Sequence, residues 1–533
     1  MRNPFALKER PGDEAPMEIY GYRPYLLAFS ASWASAMYGY DSAFIGGTLN
    51  LPSFQRKFGL ADASASSKAD LSSNIVSTFQ GGAFFGCAMG FFLAERFGRK
   101  PLFMCSAVVF ALGAVLQMLG RLDTLYGGRV LTGWGVGASA MILPIFVSEC
   151  SPALIRGRLV GTFEIMLQVA LVFGFWVNYG VNKNISPEGD KQWHIPVAVQ
   201  FVPAGVLVLS MIMIPESPRW LVSKGRMEQA KKSLSWIRHL PEDHPYLVQE
   251  LNMINAAVEN EIEETGDKGG YVGLLKELMS KGVRGRVVLC CFLVMFQNFT
   301  GINAINYYSP TIFRSIGFTG TSVGLLATGI FGIVKMVATM LYAFFLVDKV
   351  GRQPLLLVGG IGAGFAMFYL AAYSKISGSF DAPPPLDAGA RCAVAMVYVY
   401  SFFYGASWNG IPWLFTSEVL PTRVRTLGVA LCICWQWLTQ FIVVYSLPHM
   451  VLSISYGIFL FFGSCTVLAI IFAWLFIPET KGVQLEDMDL LFGKGVPILS
   501  WQARRNYIEA RDAHAALSDR VASKNVADEV EHL

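Results

Sequence analysis

The chain consists of long apolar stretches separated by short polar segments. Each of twelve stretches approaches the roughly eighteen to twenty-five residues that a helix needs to cross a hydrocarbon core about 30 Å thick. The stretches lie near residues 24–46, 71–93, 102–120, 126–147, 159–181 and 196–214, and then near 287–312, 322–346, 355–373, 392–416, 427–448 and 454–477. This pattern predicts an all-α membrane protein with twelve transmembrane helices in two groups of six.

Composition supports the same interpretation. Of the 533 residues, 53% are hydrophobic and 15% are charged, whereas a soluble protein carries about 25% charged residues. The net charge of +4 gives no indication of nucleic-acid binding. The nine cysteines lie mostly inside the apolar stretches, without the spacing of a disulfide framework or a metal site. We therefore expect no metal and no cofactor.

The distribution of basic residues predicts the orientation. Arg and Lys are concentrated in the loops that follow the even-numbered spans and in the segment between the two groups, which indicates the cytosolic side. We expect a multi-pass protein, in the plasma membrane, with both termini cytosolic. The predicted organisation is a cytosolic N-terminal segment (1–23), a six-helix bundle (24–214), a cytosolic linker with short helices (215–284), a second six-helix bundle (285–477) and a cytosolic tail (478–533).

The two groups of spans carry the same polar signals in the same order. Charged clusters follow the second and eighth spans, the fourth and tenth, and the sixth and twelfth. Parallel repeats of this kind form two bundles that rock around a site near the middle of the membrane. All the clusters lie on the predicted cytosolic side, where acids and bases could pair across the halves and form a gate. The predicted gate residues are Glu95, Arg99, Glu149, Arg156, Glu216, Arg219, Asp348, Arg352, Glu418, Arg425 and Glu479.

These motifs resemble those of a known family. Gly98-Arg99-Lys100, Pro215-Glu216-Ser217-Pro218-Arg219 and Pro478-Glu479-Thr480 are similar to the signatures of the sugar porters of the major facilitator superfamily. Gly174-Phe175-Trp176-Val177-Asn178-Tyr179-Gly180 and Ser407-Trp408-Asn409-Gly410 resemble the fungal quinate permeases within that family. The resemblance implies the major facilitator fold and transport of a small polyhydroxylated solute by alternating access.

Asp41 is the first candidate for the transport chemistry. It lies inside an apolar span, where an acid costs about 2.5–3.5 kcal/mol on insertion scales. Burial favours the neutral acid and a nearby cation favours the carboxylate, so protonation can switch with conformation. Proton-coupled members of the family pair this position with the one occupied by Arg129. The resemblance therefore implies a proton-coupling pair, and the alternative is an acid held in a permanent structural ion pair.

Amides and aromatic residues in the spans are candidates for the solute site. Amides both donate and accept hydrogen bonds, which suits a ring of hydroxyl groups. The same groups could instead connect helices without touching a solute. From the family positions, the resemblance implies a substrate site formed by Gln168, Gln297, Asn298, Asn303, Asn409, Trp413 and Gln436.

Glu164 and Lys335 complete the predicted substrate site. Glu164 lies one helical turn before Gln168, and Lys335 takes a position where sugar porters commonly have Asn. The charge of either side chain, without a partner of opposite charge, is costly in apolar surroundings. Two interpretations stay open: the side chains neutralise each other in an ion pair, or Lys335 binds a carboxylate of the substrate.

The leading interpretation is a proton symporter that imports a monosaccharide or a quinate-like cyclic acid, with protons, the solute and the lipid bilayer as its partners. The alternatives are a proton-independent facilitator for neutral hexoses or pentoses and a nutrient sensor that hardly transports. An enzyme is not expected, since the sequence has no nucleotide loop and no nucleophile–base motif.

We expect a monomer. Asn184-Ile185-Ser186 is a glycosylation sequon on the predicted outer face.

Overall fold

The computed structural model is almost entirely helical. It describes residues 16–152, 155–266, 270–315, 317, 320–347, 349–380, 384–385, 387–421, 424–481, 483, 488–492, 499–505 and 507–509. Each predicted span coincides with one long helix or with two consecutive helices, so the prediction of an all-α protein is confirmed. Among the described residues, ten of these helices or helix pairs are long and apolar enough to cross a membrane. The remaining two spans are the first helix, which carries Asp41, and the divided tenth.

The first repeat contains spans one to six. Its helices are α1 (Tyr22–Thr48), the short α2 (Pro52–Lys57), α3 (Ala65–Phe97), α4 (Arg99–Met118), α5 (Leu122–Cys150) and α6 (Arg156–Asn184), followed by α7 (Lys191–Val199) and α8 (Phe201–Met213). The last two helices form the sixth span together. Four helices of the linker follow: α9 (Pro218–Ser223), α10 (Met227–Arg238), α11 (Pro245–Gly266) and α12 (Gly270–Leu278).

The second repeat contains spans seven to twelve. Its helices are α13 (Arg284–Phe299), α14 (Ile302–Ser315), α15 (Thr321–Leu341), α16 (Arg352–Ile376), α17 (Ala388–Gly405), α18 (Ile411–Val419), α19 (Arg425–Ile454) and α20 (Gly457–Phe476). A short helix, α21 (Met488–Phe492), follows the last span. We call the end of the bundle that carries α9 to α12 the linker end, and the end that carries Thr48 and Asn184 the far end.

The seventh and tenth spans are broken near the middle. Gly301 separates α13 from α14 with φ +96°, which a residue without a side chain adopts without strain. Residues 406–410 separate α17 from α18. Both breaks free backbone carbonyls, which must find other donors inside a membrane. Tyr400 donates to Thr300 O (3.1 Å), and Gln297 Nε2 donates to Trp408 O and Asn409 O (both 2.9 Å).

Close helix packing in the first repeat depends on glycine. Helices α3 and α5 approach so closely that a Cβ atom on Gly137 would meet Ala83 O, and one on Gly133 would meet Phe79 O. In a membrane, where lipid is as apolar as leucine, small residues promote helix association because they bring backbones into contact. The side chains around this contact, including Phe79, Ala83 and Phe103, are fully buried.

This packing gives a prediction for stability. Gly137→Ala is expected to lower the thermal stability of the purified protein, because overpacking a closed helix contact costs about 1–3 kcal/mol. Gly205→Ala is the matched control, since Gly205 also lies inside a helix and a Cβ there meets nothing within 4 Å. Thermal unfolding in detergent, followed by size-exclusion fluorescence, compares the two. An equal effect of both substitutions would contradict the role of this contact.

The linker packs against the first repeat. Trp220, Leu234, Leu247 and Leu251 form a small apolar cluster of their own among α9 to α11. Arg238 forms an ion pair with Glu250 (2.6 Å) and donates to Cys150 O (2.8 Å) at the end of α5. Helices α10 and α11 of the linker are therefore attached to the end of α5 in the first repeat.

The two repeats meet along three helix pairs: α1 with α14, α3 with α19, and α6 with α15. Toward the far end, a Cβ on Gly46 would meet Tyr307 O, so α1 and α14 are in contact there. Residues 39–48 of α1, toward the far end, are all buried, whereas residues 160–166 of α6, toward the linker end, all keep part of their surface exposed.

Candidate functional site

A polar cavity lies between the two repeats, midway along the helices. Its volume is about 50 Å³. Eight of the nine predicted substrate residues line it, namely Glu164, Gln297, Asn298, Asn303, Lys335, Asn409, Trp413 and Gln436. The ninth, Gln168, is buried beside the cavity and donates to Glu164 Oε1 (2.8 Å).

Several lining residues were not predicted as ligands. Gln440 lies one turn after Gln436 on α19, which is a signal that helical spacing offers. Tyr38 and Tyr404 also line the cavity, but an aromatic residue inside an apolar span has no sequence feature that separates a site from packing. Ser42, Leu167, Leu171, Ile302, Asn306 and Tyr307 complete the lining.

The break in the seventh span places its amides in the cavity. Asn298 lies just before Gly301 and Asn303 just after it, and Asn303 Nδ2 donates to Asn298 Oδ1 (2.7 Å). Asn298 Nδ2 in turn donates to Thr439 Oγ1 (2.8 Å) on α19. These bonds hold the two half-helices together, so the residues around the break form a single polar surface.

Five amide oxygens around the cavity are buried and have no hydrogen-bond partner among the described residues. The amide nitrogen of Gln297 donates to two carbonyl oxygens, and the amide nitrogen of Gln168 donates to a carboxylate. In both side chains the atom without a hydrogen-bond partner is therefore the amide oxygen. Buried acceptors without a donor are costly, and a ligand that supplies hydroxyl groups satisfies them. The five atoms are Gln168 Oε1, Gln297 Oε1, Asn306 Oδ1, Gln436 Oε1 and Gln440 Oε1.

Lys335 and Glu164 face the same cavity without touching. Lys335 is 3% exposed, and its Nζ lies 5.7 Å from the centre of the Tyr404 ring, a cation–π distance. Glu164 Oε1 accepts hydrogen bonds from Gln168 and from Asn409. Among the described residues, no carboxylate lies within the 4.0 Å of an ion pair from Lys335 Nζ. The direct ion pair that the sequence left open is therefore not formed here, and an ammonium faces the cavity.

A second buried site lies one residue away from the cavity lining. Asp41 on α1 and Arg129 on α5 are fully buried and form an ion pair, with Nη1 at 2.8 Å from Oδ1 and 2.7 Å from Oδ2. Arg129 Nε donates to Ile75 O (3.2 Å), and the guanidinium carbon lies 4.8 Å from the centre of the Phe79 ring. Breaking such a pair is costly, since it leaves one charge buried and alone.

The predicted gate residues form matching clusters at the linker end of each repeat. In the first repeat, Arg99 pairs with Glu149 (3.0 Å) and Glu95 (3.0 Å), and Glu216 accepts from Lys100 N (3.0 Å). In the second, Arg352 pairs with Glu418 (2.7 Å), and Glu479 accepts from Gln353 N (3.1 Å). Arg156, Arg219 and Arg425 lie at the same end, and Asp348 lies outside the described residues.

The ion pairs of Arg99 and Arg352 given above join helices within a repeat, and pairing across the halves in another conformation stays a prediction. In each cluster, a hydroxyl completes the arrangement: Ser217 donates to Glu149 (2.5 Å), and Thr480 donates to Glu418 (2.8 Å). The equivalence of the two clusters is the clearest structural sign of the duplication. The first holds the ends of four spans of its repeat together and the second those of three, and a role in gating stays a prediction.

Asn184 is the last residue of α6 and is exposed at the far end. Its amide donates to Gly180 O (2.8 Å). The sequon is thus on the surface, at the end of the bundle opposite the linker helices, and its glycosylation stays a prediction.

Comparison with known proteins gives consistent matches. Residues 27–492 match the family model described as Sugar (and other) transporter. The quinate permease of Emericella nidulans is 45% identical, over 92% of this chain and 91% of its own. A probable quinate permease of Neosartorya fischeri is 42% identical, over 99% of this chain and 98% of its own.

Solved structures share the fold. The proton:xylose symporter XylE bound to 6-bromo-6-deoxy-D-glucose has a TM-score of 0.72 at 27% identity, covering 88% of this chain and 99% of its own. XylE from E. coli in an inward open conformation has a TM-score of 0.69 at 28% identity, covering 88% of this chain and 100% of its own.

Proposed function

Because the chain belongs to the Sugar (and other) transporter family of the major facilitator superfamily, we propose that it is a proton symporter for a polyhydroxylated carboxylic acid of the quinate kind. Its relatives are permeases and transporters, so the chain is a membrane transporter of small molecules and not an enzyme. The proposal concerns the identity of the solute and the source of energy.

The unpaired ammonium of Lys335 is the observation that carries the choice of solute. Among the described residues, Lys335 has no carboxylate in ion-pair contact, and a buried cation in that situation is costly. An anionic ligand removes that cost. A charge-assisted hydrogen bond from an ammonium to a carboxylate is worth about 1.5–3 kcal/mol. A neutral sugar offers no such partner, so the cavity favours a solute with a carboxylate.

The amide oxygens account for the rest of the solute. Among the described residues, Gln297, Asn306, Gln436 and Gln440 each present to the cavity a buried acceptor without a donor. A ring that carries several hydroxyl groups supplies donors in several directions, and each satisfied pair removes a penalty of about 1–3 kcal/mol. One carboxylate with several hydroxyls on a compact ring is the chemistry of quinate, which agrees with the names of the relatives.

Asp41 and Arg129 support proton coupling. A proton on Asp41 cancels its charge and weakens its hold on Arg129, so the α1–α5 contact depends on protonation. Ser42, the next residue on α1, lines the cavity and accepts from Tyr307 of the second repeat (3.4 Å). Protonation of Asp41 therefore takes place one residue away from a contact between the two repeats.

The same ion pair also fits a facilitator in which Asp41 is structural, because both charges are satisfied in this arrangement. Uptake of labelled quinate, galacturonate, glucose and xylose into transporter-null cells tests both parts of the proposal. Quinate is expected to be preferred, and a protonophore is expected to prevent its accumulation. Preference for glucose would refute the proposed solute, and insensitivity to the protonophore would refute the coupling.

We also propose that the linker end is cytosolic and that the protein is a plasma-membrane monomer. Tags on the two termini are expected to appear on the same, cytosolic face, and any glycan is expected at Asn184. Protease protection of the tags and a mobility shift lost in Asn184→Gln measure this. Tags on opposite faces would contradict an even number of spans.

A further inference from the structure

One acidic and one basic side chain line the cavity, and their charges balance only when no anion is bound there. Lys335 lies on α15 of the second repeat and Glu164 on α6 of the first, and each feels the charge of the other across the cavity. Glu164 keeps its carboxylate in place through Gln168 and Asn409, not through the ammonium. The ammonium is thus available to a ligand while the carboxylate stays nearby.

An anionic solute disturbs this balance. Once a carboxylate binds Lys335, the cavity contains two negative charges and one positive charge in surroundings of low polarity. Two carboxylates that share a site do not both stay ionised, and one of them takes up a proton. The solute carboxylate is stabilised by contact with the ammonium, so Glu164 is the group that becomes protonated.

We propose that Glu164 is a second proton-binding site, distinct from Asp41, which takes up a proton when an anionic solute binds Lys335. The inference rests on the proposed function, since it requires a carboxylated solute. The step forms one O–H bond on the Glu164 carboxylate from an aqueous proton, and breaks the same bond when the solute leaves.

The surroundings of Glu164 suit both forms of the group. As a carboxylate it accepts from two amides, Gln168 and Asn409. As an acid it gains an O–H that needs an acceptor, and Gln168 Oε1 is buried without a donor. An acid and an amide can exchange two hydrogen bonds, N–H to C=O and O–H to C=O, whereas a carboxylate can accept only one from the same amide.

The groups that face Glu164 come from three helices besides its own. Lys335 on α15 is the charged one, and Tyr38 on α1 and Tyr404 on α17 are the titratable ones. Asn409 follows α17 and belongs to the second repeat, so its bond to Glu164 crosses between the repeats. Movement of the repeats relative to each other therefore changes which groups donate hydrogen bonds to Glu164. That change is the step of the transport cycle at which Glu164 can release its proton.

The second site changes the charge carried per cycle. One proton with a monoanion is electrically neutral, so the membrane potential contributes nothing to uptake. Two protons with a monoanion carry one net positive charge, and about −100 mV then raises the accumulation ratio by roughly fiftyfold. A second proton site therefore lets the membrane potential drive the uptake of an anion.

Proton uptake by the purified full-length protein tests the inference. Asp41→Asn removes the first site, and quinate is added to this variant in weakly buffered detergent solution with a pH-sensitive dye. We expect about one proton taken up per quinate bound at a pH where Glu164 is ionised. Quinamide, which lacks the charge, is expected to cause no uptake. In Asp41→Asn with Glu164→Gln, the number of protons taken up per quinate bound, with binding measured in the same samples, is expected to fall to zero.

Electrogenic transport provides a second readout that does not depend on the double variant. In proteoliposomes with Asp41 intact, an imposed negative potential is expected to drive quinate uptake by wild type and not by Glu164→Gln, while a pH gradient drives both. Equal proton uptake with and without Glu164, or equal response to potential, would overturn the inference alone. Failure of wild type to bind quinate would overturn the proposed function, and the inference with it.

Discussion

Asp41→Asn is expected to lower the accumulation ratio several-hundredfold, whichever solute is carried, because the variant transports one proton fewer per cycle. At about −100 mV, one proton contributes roughly 2.3 kcal/mol. A difference of one pH unit adds about 1.4 kcal/mol. A neutral solute should then reach only the concentration outside, while exchange of labelled for unlabelled solute should survive, since asparagine imitates the protonated acid.

The measurement is the steady-state ratio of labelled solute in cells or proteoliposomes, together with counterflow under equal pH. Asp123→Asn is the matched control, because Asp123 also pairs with an arginine, Arg121 (2.8 Å), but on the exposed surface. It should leave the ratio unchanged. If Asp41→Asn still concentrates solute as wild type does, Asp41 is not the proton carrier, and the ion pair with Arg129 is structural.

Hydropathy was sufficient to predict the helices because a membrane imposes one dominant constraint. Every backbone polar group must be satisfied inside its own helix, so the length of an apolar stretch determines the element. Hydropathy alone does not show the breaks in the seventh and tenth spans, although in the seventh span Gly301 beside Thr300 is a sequence feature that allows one. There Gly301 and residues 406–410 interrupt the helix, and the freed carbonyls are satisfied by Tyr400 and Gln297 from other helices. Such long-range partners leave no periodic signal in the chain.

Most of the candidate site could be predicted because it consists of polar residues in apolar surroundings. An amide or a charged side chain inside a span has a free-energy cost of insertion whichever way it is oriented. This cost identifies Glu164, Gln297 and Lys335 as candidate site residues from the sequence. Tyr38 and Tyr404 carry no such cost, and their position in the cavity depends on how the helices are rotated. Identifying them therefore requires the packed structure.

The relation between Glu164 and Lys335 shows where a sequence argument stops. Opposite charges in apolar surroundings allow an ion pair or a charged ligand site, and the sequence does not show which other donors reach the carboxylate. Asn409 and Gln168 satisfy the carboxylate, and the Tyr404 ring lies beneath the ammonium. The two charged groups line the same cavity without forming an ion pair. The ammonium therefore remains available to a ligand.

Lys335→Asn is expected to weaken the binding of carboxylated solutes about ten- to a hundred-and-fifty-fold while changing neutral ones little, because it removes one charge-assisted contact worth roughly 1.5–3 kcal/mol. Asparagine restores a neutral hydrogen-bonding group at that position, so hydroxyl contacts remain available. The substitution also leaves Glu164 as an uncompensated acid, which further disfavours an anion. The selectivity should therefore shift toward sugars and amides.

Competition against a labelled solute measures this shift, with quinate, quinamide and glucose as competitors. Lys183→Asn is the matched control, because Lys183 also lies near a tyrosine ring, 5.9 Å from Tyr179, but is exposed at the end of α6. It should change none of the three affinities. Equal loss for quinate and quinamide in Lys335→Asn would mean that the lysine maintains the shape of the cavity and binds no carboxylate. The solute would then be a neutral sugar, and the quinate proposal would be wrong.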